Sequence, residues 1–183
     1  MALLAEQLVD EWMNRQGFFT IRGIKSGVEE IDLLGVRPDP NLVGSLEAWH
    51  VEVQASFNPN AYISKLSKQH MEELGVKGRN SAKKRSDELL SRTVIDWVSG
   101  KFSHKKKVKM RDDCWHGLQW KFLLVHGVAK YPHELELIGN QGIELLPFSN
   151  VLKSLQESQS EWRGHSGSDI MDIIKYFQAF TLR

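Results

Sequence analysis

Cysteine is all but missing from this chain. Cys114, the single one among 183 residues, cannot close an internal disulfide, so the fold has to be held by packing. Long apolar runs are missing too. No stretch approaches the roughly 20 residues needed to cross a bilayer, and no membrane partner is expected. The opening Met1-Ala2-Leu3-Leu4-Ala5 meets Glu6 before a signal-peptide core can develop, which predicts a cytoplasmic protein. Glycine-rich phosphate loops do not occur: neither G-x-G-x-x-G nor G-x-x-x-x-G-K-[ST] is found, which disfavours the nucleotide-binding folds built on them. There is no internal repeat. Net charge is nearly absent as well, at +1.

That near-zero total conceals a segregation. Residues 1–60 carry 4 Lys/Arg against 9 Asp/Glu, residues 61–130 carry 16 against 7, and residues 131–183 carry 4 against 7. A basic middle beside an acidic first third suits a polyanion-binding protein with a cation site, because Lys and Arg hold phosphates and carboxylates hold metal. A solvated lysine-rich helix and loop would give the same count. At 41% hydrophobic and 26% charged, the composition is that of a globular chain, and its length suits one domain over 1–183. Within it, 61–118 reads as a mainly helical, basic middle segment.

Periodicity orders the rest. Leu4, Leu8 and Trp12 make an apolar stripe on a helix from Leu3 to Gln16, stopped by Gly17. Phe18–Lys25 and Glu30–Val36 read as strands joined through Ser26-Gly27 in a hairpin. Trp49–Ser56 is a third strand, with His50, Glu52, Gln54 and Ser56 on one face and Trp49, Val51, Val53 and Ala55 on the other. Helices are expected at 61–74 and 81–99, and an exposed loop or extended arm from Lys101 to Arg111. Lys121–Val128, with its continuous apolar centre, reads as a strand covered on both faces. A short strand at Ile143–Leu146, a helix at Phe148–Gln156 and a last helix carrying Ile170, Ile173, Ile174, Phe177 and Phe180 complete the series. This order predicts an α/β fold: a three-layer sandwich around a central mixed sheet of four to five strands.

Against this background Asp32, Glu52 and Gln54 stand out, because each lies in or beside an apolar run. An ionised carboxylate taken out of water without a partner is costly enough that it would rather bind a proton. Two of them on neighbouring strands therefore suggest a bound hard divalent cation with oxygen ligands. Singly, each has a plainer reading as a strand-end or edge-strand polar group. His50 shares a face with Glu52 and is either a phosphate contact, a base or a structural histidine. Glu29 and Glu30 read as surface charges. Cys114 and His116, beside Asp112 and Asp113, resemble half a transition-metal site, but no second Cys/His pair has zinc spacing. Trp115 and Trp120 suit either base stacking or the core.

In their order along the chain, Glu6 in the first helix, Asp32 on the second strand and Glu52-Val53-Gln54 on the third resemble the PD-(D/E)XK nuclease superfamily, the restriction-endonuclease-like fold. The resemblance covers roughly the first 60 residues, and Ile143-Glu144-Leu145-Leu146-Pro147-Phe148 resembles the family's closing strand and helix start. It implies a single nuclease-like domain hydrolysing phosphodiester bonds in DNA with Mg²⁺ or Mn²⁺. In that reading Asp32 and Glu52 hold the metal, with the carbonyl of Val53, while Glu6 contacts a metal-bound water or second ion and Gln54 orients the attacking water. Gln54 departs from the family, where a lysine is usual, and an amide offers hydrogen bonds but no charge. Catalysis would then depend more heavily on the metal, or on a lysine supplied from elsewhere, with Lys25, Lys65 and Lys68 as candidates. These three, together with Lys105, Lys106, Lys107 and Lys109, are the expected nucleic-acid contacts. Cutting both strands of a duplex calls for two active sites, which a homodimer would supply. The alternatives are a non-catalytic DNA- or RNA-binding protein on the same fold, and a structural subunit of a larger assembly.

Overall fold

The computed structural model describes residues 2–56 and 58–157. The helix expected around Ile170 to Phe180 lies outside them. Five strands form one sheet in the order β1 (Phe19–Ser26), β2 (Glu29–Pro38), β3 (Leu46–Gln54), β4 (Trp120–His126) and β5 (Glu144–Pro147). The first three are antiparallel neighbours, and β4 and β5 then continue parallel to β3. The sheet is therefore mixed and open, with helices on both sides: an α/β three-layer sandwich. Ser26 pairs with Glu29 across Gly27-Val28. Gly27 takes φ +65° there, a conformation that costs glycine little.

On one face α1 (Ala2–Arg15) and α6 (Phe148–Glu157) set Leu8, Val9, Met13, Val151 and Leu155 against Leu33, Val51, Val53, Leu123 and Val125. On the other, Leu90 and Val94 of α3 (Asp87–Val98) and Ile138 of α5 (His133–Gly139) pack with Tyr62, Ile63, Phe102 and Leu124. Leu123 and Val125 thus point one way and Leu124 the other, as the two-residue period of a strand covered on both faces requires. Burying each such side chain contributes roughly 1.5–3 kcal/mol.

Three stretches fold differently from their sequence pattern. Of residues 61–74 only α2 (Lys68–Glu73) is helical. The N–H groups that would build an earlier helix are taken by distant acceptors. Tyr62 and Ile63 donate to the buried Glu134 carboxylate, and Ser67 donates to Asp96. The expected helix at 81–99 divides into a 3₁₀ turn at Ser81–Lys84 and α3.

The run from Lys101 to Arg111 is not an exposed arm. A π-helical turn at Ser99–Ser103 leads into α4 (Lys105–Cys114), which buries Lys107, Met110 and Arg111 against the sheet. Met110 packs with Ile31 and Leu34, and Trp120 covers that cluster.

Candidate active site

β2 and β3 stay in register from Pro38 opposite Leu46 to Leu33 opposite Val51, and pair no further. One residue past that point Asp32 turns its carboxylate into the opening, where Oδ2 accepts the backbone N–H of Val53 at 2.7 Å. A side chain thus completes a backbone donor that the ladder leaves over. The β1–β2 ladder is interrupted at the same place, since Arg22 pairs with Leu33 and Ile24 with Ile31 while Gly23, at φ +65°, and Asp32 do not pair.

Glu52, on the adjoining strand, is 1% exposed. Its Oε1 accepts from Lys107 Nζ at 2.5 Å and from His50 Nε2 at 3.1 Å, and its Oε2 accepts from Lys101 Nζ at 3.0 Å. Arg111 donates to His50 Nδ1 at 2.8 Å and to the carbonyl of Phe102 at 2.7 Å. Because Arg111 can only donate, Nδ1 must be the acceptor, and the ring proton lies on Nε2, facing Glu52. The imidazole is held edge-on between Phe102 and Phe122.

These environments drive the two carboxyls apart. Burial alone would raise Glu52, but His50, Lys101 and Lys107 outweigh it and bring its pKa down to about 2. For Asp32 burial and the charge of Glu52 prevail over the Val53 N–H and Lys101, and its pKa rises to about 7. His50 is pushed down to about 4 by burial, with Arg111 and Lys107 adding to it against the pull of Glu52. A neutral imidazole, an ionised glutamate and a carboxyl that releases its proton near neutrality therefore sit within one site.

Asp32 and Glu52 lie on the wall of an open cleft of about 760 Å³. The β1–β2 turn, with Glu29 and Glu30, borders it, and so do Ser64–Ser67, Arg79, Asp96–Trp97 and Ser99–Lys101.

The residues singled out by sequence are distributed unevenly around this centre. Val53 contributes its N–H, while its side chain belongs to the core beneath α1. Glu6 stands outside the cleft lining, its carboxyl raised by partial burial and by Glu30, and then more weakly by Glu52. Gln54 is half-buried and takes no part in fixing Glu52. Its backbone carbonyl instead accepts from Tyr62 Oη and Gly127 N.

Among the lysines, Lys65 lines the cleft, whereas Lys25 is not part of the lining but pairs at 3.4 Å with Glu30, which is. Lys68 opens α2 beyond the lining. Lys107 also lines the cleft, but it is 3% exposed and its ammonium is taken up by Glu52. Lys109 pairs with Asp113 along α4, and Lys105 and Lys106 remain exposed. Sequence reasoning misses Lys101, Lys107 and Arg111 as partners of Glu52 and His50, because they lie 49 to 61 residues away along the chain. Among the described residues, no group of three or more His, Cys, Asp or Glu side chains is placed to hold a metal ion.

The sequence matches no protein-family model and no curated protein. A solved structure, the crystal structure of a protein of unknown function, AF1548, aligns with 91% of this chain and 73% of its own. The identity is 12% and the TM-score 0.41.

Proposed function

We propose that this protein is a metal-dependent nuclease that hydrolyses phosphodiester bonds in DNA, with Asp32 and Glu52 holding Mg²⁺ or Mn²⁺ as in the PD-(D/E)XK superfamily that its first 60 residues resemble. The observation that carries the reading is the placement of Asp32, whose carboxylate turns into the opening between β2 and β3 to line one cleft with Glu52; burial and the charge of Glu52 raise its pKa there to about 7. A cation between them would reverse both effects.

The donor set fits a hard ion. Of the roughly four acceptor positions on a carboxylate, Glu52 uses three and Asp32 one. Two protein carboxylates are few, but Mg²⁺ is commonly bound by one or two, with waters and substrate phosphate oxygens completing its shell. When bound, the ion would lower the pKa of a water and stabilise charge growing on the phosphate.

The chain's own residues divide the remaining work. Lys101, whose side chain is 31% exposed at the cleft, supplies the positive charge that Gln54 lacks and can meet a phosphate oxygen there. Lys107, buried, keeps Glu52 ionised. Arg111 holds His50 in the tautomer that donates to Glu52, which fixes the carboxylate's orientation.

The test is a cleavage assay in Mg²⁺ and in Mn²⁺ on the wild type and Asp32→Ala. The variant should retain on the order of 1% of the rate or less, and undiminished cutting would refute the assignment. The pairing of Glu52 with two lysines favours a second reading, a nucleic-acid-binding protein in which Lys101 and Lys107 take the place of the ion. Heat of Mn²⁺ binding that disappears in Glu52→Ala would exclude it. A homodimer and a cytoplasmic location belong to the nuclease reading. No helix among the described residues is long and apolar enough to cross a membrane.

A further inference from the structure

We infer that the cleft takes a single strand of nucleic acid rather than a continuous duplex, with Lys65 and Arg79 holding the phosphates next to the one attacked. This rests on the nuclease reading and deepens it. The chain segments that line the cleft differ in sign. The β1–β2 turn presents Glu29 and Glu30, of which only the second is paired among the described residues, with Lys25. Lys65 and Arg79, brought together by the Leu66 N–H to Arg79 carbonyl bond, also line it; both are exposed and neither is paired with a carboxylate among the described residues, and Asp96 beside them is engaged by the Ser67 N–H and His70.

A strand lying along Lys65 and Arg79 has its phosphates neutralised, whereas a complementary strand brought against Glu29 and Glu30 would meet negative charge. Depth acts in the same direction. Glu52 is 1% exposed, so the scissile phosphate must descend to it. A cleft of about 760 Å³ is of the size that takes small ligands, roughly 300–1,000 Å³. That suits a short stretch of one strand and not the breadth of a double helix. Trp97 lines the same cleft, its indole backed edge-on by Tyr62 and Phe102 at 6.3 and 6.4 Å. An aromatic face held this way can stack on an unpaired base, and bases inside a duplex have no free face to offer.

The test uses the full chain carrying Asp32→Asn, so that binding is read without turnover. Fluorescein-labelled DNA is titrated by anisotropy as a single strand and as a blunt duplex, beside RNA of the same sequence. Single strands should bind at least about tenfold more tightly than duplex. Adding Lys65→Ala and Arg79→Ala should flatten the dependence of log K on log salt by roughly 1.4, about 0.7 for each phosphate no longer neutralised. Trp97→Leu, verified as folded by its melting curve, should weaken single-strand binding by about tenfold. Tighter binding of either nucleic acid as a single strand supports the inference, and the DNA–RNA comparison identifies the sugar. Equal affinity for duplex, no binding at all, or an unchanged salt slope would overturn it. Cleavage by the wild type separates the two ideas. Single-strand binding without cutting would sink the nuclease and leave the strand preference, while interior cutting of duplex at the single-strand rate would do the reverse.

Discussion

Asp32 and Glu52 are neighbours with opposite fates: one carboxyl sits at about 7 and the other at about 2, because the cations reach Glu52 first. The consequence for stability follows from linkage. Asp32 has a raised folded-state pKa, so its contribution is fully present below about 3.8 and is lost as pH climbs toward 7. Over that window the unfolded chain gives up a proton that the folded chain keeps. The loss is at most about 4 kcal/mol. Asp32→Asn keeps an oxygen for the Val53 N–H and cannot ionise. The variant should therefore be more stable than wild type by roughly 2–4 kcal/mol at pH 8 and equal to it near pH 3.5. Urea denaturation at the two pH values checks this, and a difference that does not change with pH would show that burial does not disfavour the ionised form. His50 behaves in the opposite sense, losing stability as pH falls from 6.5 toward 4, but it does so in both proteins and cancels. Asp32 and Glu52 are legible in the sequence because a charge inside an apolar run is conspicuous. Their partners are not, since pairs 49 or more residues apart leave no local pattern.

α4 shows why a whole element can be misread. Its inward positions, Lys107, Met110 and Arg111, have helical spacing, but two of the three are charged, so the stripe looks like a solvated surface. They point inward because what they face is polar: Lys107 meets Glu52 and Arg111 meets His50. α5 escapes a pattern-based reading for the same reason, with Glu134 inward to receive Tyr62, Ile63 and Arg85. The strands are legible because their faces meet apolar neighbours, and β4 is the clearest. The two lysines on Glu52 should accordingly separate by element. Removing a buried partner strands a charge, so Lys107→Met should cost about 3 kcal/mol or more. Lys101, on the π-helical turn and open to the cleft, should cost under about 1 kcal/mol as Lys101→Met yet lower the cleavage rate by on the order of tenfold or more. Urea melts and rates on the pair of variants decide it, and the reverse ranking would mean that Lys101 is the structural clamp.

Over the whole molecule, the basic excess of residues 61–130 overstates the field offered to a polyanion, because Arg85, Lys101, Lys107 and Lys121 all engage carboxylates of this chain. The proposed nuclease reading implies a link between the fold's stability and a cation, since an ion that bound only where β2 and β3 part would favour the folded state by mass action. At one hundred times its dissociation constant it would add about 2.7 kcal/mol, or roughly 5–10 °C in a chain of this size. Binding must first remove the proton from Asp32. With a pKa of about 7, that carboxyl is free at pH 8 and about 99% protonated at pH 5, so the apparent affinity falls about a hundredfold and the gain shrinks to about 0.4 kcal/mol. Mn²⁺ at a fixed concentration should therefore raise the melting temperature by several degrees at pH 8 and by about one at pH 5, and should do neither in Asp32→Asn. Scanning calorimetry of both proteins, with and without the ion, makes the comparison. A shift that persists in Asp32→Asn would place the ion elsewhere, and no shift at pH 8 would leave Glu52 to the counter-charge of Lys101 and Lys107.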